Sequence, residues 1–421
     1  MGRKHRPCDR SRRSGDEGIL AGVQASAETK ILLVALRAYL GTAGTPDLDT
    51  AVASAPDWDE VLALAGQHAV TPLLHQSLSI LPDGVVPAEV TDELRRRAED
   101  IALRNLELTG ELIRILDRLE AAGIEALPYK GPSLAAVAYG DTALREFVDL
   151  DILVDPSKID EALALLGHDG YGSLHPLTPK QDRNSRRNSH DRQLVRGRFV
   201  IEIQWAICDT TYALPRDTSA FFRRATRLAL GGREVPSLAA EDLLLILCVH
   251  GSIHMWERLA WVCDVAEVLD HVRPLDVATV RRRAVSAGAE RMLLLGVEMA
   301  RQLLETEVPP ELRVRARHRT VTALAQRLGS HLVKARAGDA FSPDGATQFA
   351  YRLRMRDTAT DRVTEAFRIA VTPSASDVRS VSLPDVLWPL YYPIRIGRLA
   401  WAYGFRRRRP GDGFEDAALP D

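Results

Sequence analysis

The sequence predicts an α+β fold, a small unit of interleaved strands and helices set inside a mostly helical chain. Three observations carry this. Apolar residues recur at three- and four-residue spacing over residues 29–121 and again from Leu238 to about 340. Short extended runs alternate with helical ones only between about 122 and 235. A chain of 421 residues, 46% of them apolar, is long enough for more than one core.

In order along the chain, residues 1–28 are expected as a disordered basic arm rich in Ser, Arg and Gly. An N-terminal helical region covers 29–121. ETKILLVALRAYL and WDEVLALAGQHAVTPLLHQSL are amphipathic, and the turn LPDGVVP precedes a long helical pattern at about 88–121 that Gly123 ends. The α/β core spans 122–235: the extended IEALPYKG, the small-residue segment PSLAAVAYG, the strand VDLDILV closed by Asp155-Pro156, the helix SKIDEALALLGHDG, and the strand runs QLVRG and RFVIEIQWAI. Between the last helix and these strands lies HPLTPKQDRNSRRNSHDRQ, which reads as a polar loop. A helical domain follows at 236–340. A partly helical region, 341–421, closes the chain: GDAFSPDG and TPSASD turns surround one helical segment, followed by an aromatic and basic tail.

Composition excludes more than it identifies. The formal net charge of -2 gives no global attraction to nucleic acid or to an acidic surface. Cys8, Cys208, Cys248 and Cys263 match neither a zinc motif nor a disulfide framework, so they are expected as free thiols in a reducing, cytoplasmic setting. The basic N-terminus lacks the apolar segment of a secretory signal, and no run of eighteen apolar residues exists.

Chemistry concentrates in REFVDLDILV, residues 145–154. Residues two apart on a strand share a face, so Asp149 and Asp151 project together while Leu150 and Ile152 point to the core. Two converging carboxylates repel unless a proton or a cation neutralises them. Hard divalent ions, Mg²⁺ above all, suit such a pair and complete their shell with water and phosphates. Lys130-Gly131 lies upstream, with Pro132 and Ser133 opening a short helix whose free N–H groups, with the lysine, could receive an anion. Arg145, four residues before Asp149, is a second candidate phosphate contact, or merely a partner of Glu146 or a surface acid. Alternation along RFVIEIQWAI puts Val200, Glu202 and Gln204 on one face and Ile201 and Ile203 on the other. If that strand lies beside the aspartate strand, Glu202 becomes a third carboxylate, and three acids around two divalent ions can serve in-line phosphoryl or nucleotidyl transfer.

LPYKGPSLAAVAYGDTALREFVDLDILV, then VIEIQWAI, then LLLILCVHGSIHMWERLAWVCDVAEVL together resemble the uncharacterised nucleotidyltransferase family of bacteria, within the DNA polymerase β-like superfamily. The resemblance runs over about residues 30–340. It implies a short mixed sheet with flanking helices, embraced by a helical domain, and transfer of a nucleoside monophosphate from an NTP such as ATP to an acceptor. It places Lys130-Gly131, Tyr139, Arg145, Asp149, Asp151, Glu202, Trp205, His250, Gly251, Trp261 and Asp264 on the family pattern. The roles that follow are Asp149, Asp151 and Glu202 as catalytic metal ligands for two Mg²⁺ or Mn²⁺ ions. Lys130, Gly131 and Ser133 would hold the phosphates, and Arg145 would neutralise the departing pyrophosphate. The acceptor stays open among a small molecule, a peptide or protein, and an RNA. One departure stands out: the family commonly has histidine where this chain has Gln204, which cannot shuttle a proton but can hydrogen-bond. A non-catalytic binding or scaffold protein of the same fold and a toxin-type enzyme acting on tRNA are the alternatives.

Other groups have plainer readings. His250 and His254 share a helix face, but Gly251 stands where a zinc motif of the H-E-x-x-H kind needs glutamate. They are expected as a partly buried pair, or lining the acceptor cleft beside Trp256. Asp264 should pair with Arg258, Arg291 or a histidine. Lys180, Arg183, Arg186, Arg187, Arg192, Arg196 and Arg198, with His190, form a local basic patch that could clamp a triphosphate or a polyanion, or simply be solvated. The tail Trp388–Arg409 has the composition of a membrane-surface segment, but its prolines and Gly397 break a clean amphipathic helix, which favours packing over peripheral membrane contact.

Overall fold

The computed structural model describes residues 25–404 apart from 177–185, 187, 213, 316–317, 340, 342, 374–376, 378–380 and 382. Four short helices open the chain: α1 (Ala27–Leu40), α2 (Thr45–Val52), α3 (Trp58–Gln67) and α4 (Thr71–Leu78). The first begins where Ser26 accepts a hydrogen bond from the Thr29 amide and stops at Gly41, whose φ of 76° favours a residue without a side chain. The helix α5 (Ala88–Ala121) follows, and its 34 residues span about 50 Å at 1.5 Å per residue.

A five-stranded mixed sheet is built from β1 (Ala126–Pro128), β2 (Leu150–Val154), β3 (Gly172–Ser173), β4 (Asp191–Arg196) and β5 (Phe199–Gln204). Its order is β1-β2-β5-β4-β3. Only β2 and β5 run parallel. Pro128, which has no amide to give a ladder, is accommodated because β1 is an edge strand. Between β1 and β2 lies α6 (Gly131–Leu134), which loosens into a π turn over Ala135–Tyr139. The crossover from β2 carries α7 (Ile159–His168). Beyond the sheet come α8 (Ser219–Arg224) and a hairpin of β6 (Thr226–Leu230) and β7 (Arg233–Ser237).

The rest is helical: α9 (Ala240–Ile253), α10 (Leu259–His271), α11 (Val277–Ser286), α12 (Glu290–Leu304), α13 (Arg319–Lys334), α14 (Gly345–Met355), α15 (Ala359–Val371) and α16 (Tyr391–Gly404). Two helices, α14 and α15, replace the single helical segment expected near the end. The tail also differs from expectation: α16 runs through Pro393 and Gly397, and Arg395 and Arg398 both reach the buried Asp377. Phe405 and Arg406–Arg409 of that tail, the first 24 residues with Cys8, and Lys180, Arg183 and Arg187 lie outside the described residues. Cys208, Cys248 and Cys263 are buried free thiols. Among the described residues no helix is long and apolar enough to cross a membrane.

Two apolar cores position the site. One joins the N-terminal helices to α9–α13, and the other fills the space between the sheet and the C-terminal part of α5. Helix α5 belongs to both, giving Val90 and Leu94 to the first and Leu108, Leu112, Ile115, Leu116 and Leu119 to the second. Each fully buried leucine or isoleucine contributes about 1.5–3 kcal/mol.

Candidate active site

The parity of two strands builds the site. Along β2, Leu150, Ile152 and Val154 enter the sheet core, whereas Leu153 joins the helical core on the opposite side. Asp151 shares the face of Leu153, and Asp149 precedes the strand on the same parity. Along β5, Ile201 and Ile203 enter the sheet core, which leaves Glu202 and Gln204 beside the aspartates. The parallel register sets Asp151 opposite Glu202 and Leu153 opposite Gln204. Neighbouring strands lie about 4.8 Å apart, so this register brings two carboxylates side by side.

Nitrogen donors make the pair tolerable. The Lys130 ammonium lies 2.8 Å from Asp151 Oδ1. The Gln204 amide nitrogen donates to Asp151 Oδ1 at 3.0 Å and to Glu202 Oε2 at 3.1 Å. From β4, Gln193, the register partner of Glu202, donates to its Oε1 at 2.7 Å. The Tyr129 hydroxyl donates in turn to Gln204 Oε1. Asp151 is only 4% exposed and Gln204 2%.

One ammonium does not balance three carboxyls. Burial, then the charge of Asp151, raises the Asp149 pKa above the usual aspartate value. Burial and the same neighbour push Glu202 up to about 7. Burial also holds the Tyr129 phenol far above its ordinary pKa, with Asp151 and Glu202 adding to it, so this hydroxyl keeps its proton. A hard divalent cation fits such a donor set, because it would supply the positive charge that buried, mutually repelling carboxyls call for. Among the described residues no three His, Cys, Asp or Glu side chains converge closely enough to grip an ion as they stand. The Lys130 and Gln204 nitrogens occupy lone pairs that a metal would share.

Gly131 is required by geometry. Its φ is 54°, and a Cβ there would lie 3.2 Å from the Asp149 carbonyl oxygen, so a glycine lets the Lys130-Gly131 turn rest against the start of β2. Ser133 is buried nearby with no hydrogen-bond partner for its hydroxyl.

Arg145 departs from its expected part. Instead of facing a phosphate, its guanidinium is buried and donates to both oxygens of Asp264, at 2.8 and 3.0 Å. Tyr139 donates to the same carboxylate at 2.8 Å. Asp264 therefore pairs with Arg145 and not with Arg258, Arg291 or a histidine. Burial opposes the charged guanidinium, but Asp264 outweighs it and raises the Arg145 pKa. The reason is positional: α10 packs against the π turn, and a buried carboxylate on α10 needs a buried cation.

The histidines also have another neighbour. His250 and His254 pack with ring centroids 4.6 Å apart, and Trp261 lies 5.1 and 5.3 Å from them. Trp256 is instead fully buried, its ring against Gly251 and Gly296. Burial, then the charge of Lys130, lowers the pKa of both histidines, that of His254 to about 4, so both are neutral at pH 7. Three described members of the basic patch bind acids: Arg196 binds Glu111, Arg198 binds Glu107 and Arg186 binds Asp160.

Sequence reasoning passed over Tyr129 and Gln193. Tyr129 sits in the quoted YKG run, and Gln193 alternates with the buried Leu194 on β4, which was the available signal. It also missed the β6–β7 hairpin, although Gly231-Gly232, with φ of 57° and 79°, is a two-residue turn signal between two extended runs.

No curated protein matches this chain. A solved structure that it resembles is the solution structure of the antibiotic-resistance factor ANT(2'')-Ia, with 12% identity over 43% of this chain and 91% of that one and a TM-score of 0.31. The sequence model of the uncharacterised nucleotidyltransferase family matches residues 54–305, more than half of the chain and a span that includes every site residue described above. The protein belongs to the uncharacterised nucleotidyltransferase family, and with it to the transferase enzymes.

Proposed function

We propose that this protein moves a nucleoside monophosphate from an NTP to an acceptor in a Mg²⁺-dependent reaction, on the platform of Asp149, Asp151 and Glu202. The observation that carries this reading is the register that sets Asp151 opposite Glu202 with a lysine ammonium already on Asp151. Asp151 and Glu202, with Asp149, would hold the divalent ions. When bound, such ions supply charge neutralisation for the phosphates and lower the pKa of an attacking hydroxyl. Lys130, once released from Asp151, is a point charge suited to the phosphate chain. Gly131 and Ser133, behind it, form the turn against which that chain would rest. Tyr139 and Arg145 both bind Asp264, which ties the π turn and the loop after it to α10, and Arg145 would so help position the turn that carries Lys130. The acceptor is a small molecule, a peptide or an RNA.

Pyrophosphate release from each NTP with Mg²⁺ or Mn²⁺, for wild type and Asp149→Ala, is the test. The variant should lose at least about 100-fold, the scale of a lost preorganised electrostatic group. Equal rates in both proteins would remove Asp149 from the mechanism. In parallel, NTP with Mg²⁺ should raise the melting temperature and EDTA should abolish the shift; no shift with any nucleotide favours a scaffold role.

A further inference from the structure

We propose that Tyr129 and Gln204 form a lock that aligns Asp151 and Glu202 for the metal, with Gln204 as the positioning residue and Tyr129 setting its orientation. The inference rests on the metal reading above. A carboxamide has an accepting and a donating end, and only one orientation fits here. Turned the other way, Gln204 would aim its oxygen at two carboxylates and its NH₂ at a hydroxyl. The Tyr129 hydroxyl, with a proton to give, meets Oε1 and so commits the amide nitrogen to the acids. That nitrogen then spans the strands, 3.0 Å from Asp151 and 3.1 Å from Glu202.

The bridge does two things. It holds the two acids in a common orientation without adding a positive charge that would cancel their own. It also leaves the place of the cation to Lys130: among the described residues the cation that reaches Asp151 is Lys130, at 2.8 Å, and it is therefore the group that an incoming ion displaces. A side chain that can lose or gain a proton would couple this alignment to the reaction; an amide cannot. Gln204 is thus a fixed scaffold at this position. Groups that orient metal ligands through hydrogen bonds typically cost about 10–100-fold in metal affinity when removed.

Mn²⁺ alone, titrated into the full chain and followed by its EPR signal, tests the lock. Gln204→Met keeps length and loses the donor; Tyr129→Phe keeps the ring and loses the proton. Each should weaken Mn²⁺ binding by about 10-fold or more. The double variant should bind as Gln204→Met does, because Tyr129 acts only through Gln204. Circular dichroism melts identify the folded variants used. Wild-type affinity in both folded single variants overturns the lock and leaves the three-acid platform standing. Losses that simply multiply in the double variant overturn the route through Gln204. If the wild type itself takes up no Mn²⁺, the metal platform fails and the lock with it.

Discussion

A single carboxylate, Asp264, decides how Arg145 is used. Two guanidinium nitrogens and the Tyr139 hydroxyl converge on it in a buried setting. Breaking a buried pair from one side strands the other charge and costs about 3–5 kcal/mol, whereas replacing both partners by apolar groups costs much less. Urea denaturation should therefore show large losses for Asp264→Leu and for Arg145→Met, and a partial recovery in the double variant. Additive losses would mean that the two residues stabilise the protein independently. At this scale the sequence was half legible. The alternation around Asp149, Asp151 and Glu202 gave the shared face from local stereochemistry. The partner of Arg145 lies 119 residues away, and no spacing rule reaches so far.

At the scale of elements, α9 and α12 approach closely because each has a glycine at the contact. A Cβ on Gly251 would lie 2.6 Å from the Trp256 ring, and one on Gly296 would lie 2.9 Å from that ring and 2.6 Å from Cys248 Sγ. The indole is fully buried, with no room to yield. It is delivered by a tight exit from α9 in which Met255 and Trp256 both adopt positive φ, 53° and 55°, a costly conformation for residues with side chains. Gly296→Ala should thus destabilise by at least about 1–3 kcal/mol, the usual cost of overpacking. An unchanged urea midpoint would show that the helices can separate freely. The His-Gly pair of α9 was visible in the sequence as a motif. That its glycine makes space for a tryptophan five residues on became visible only when the chain turned back on itself.

Across the whole molecule, the segment after the family match supports the sheet. Asp357 caps α12 by accepting from the amides of Glu290 and Arg291 at 2.8 and 2.9 Å. The Arg352 guanidinium stacks 3.8 Å above Tyr212, and Arg368 donates to the carbonyls of Thr210 and Tyr212. Both residues lie just after β5, and the Thr210 amide in turn donates to the Asn188 carbonyl at 2.9 Å. A chain ended at Ala337 keeps every described strand, yet it should melt at a lower temperature and exchange the Thr210 amide faster in hydrogen-exchange mass spectrometry. Protection equal to that of the full chain would show that α14 and α15 merely rest on the surface.

By itself the sequence determined most of the helices, the main strands and the face on which each acid projects, because periodicity and turn chemistry act over a few residues. Those local rules also singled out the aspartates and the glycine turn beside them. Only the tertiary structure decided which strand lies next to which, that Gln204 bridges Asp151 and Glu202, that Asp264 claims Arg145, and that α5 belongs to two cores at once. Those outcomes come from burying charges and apolar surface between segments distant in the chain, where the free energy depends on the partner that folding brings alongside.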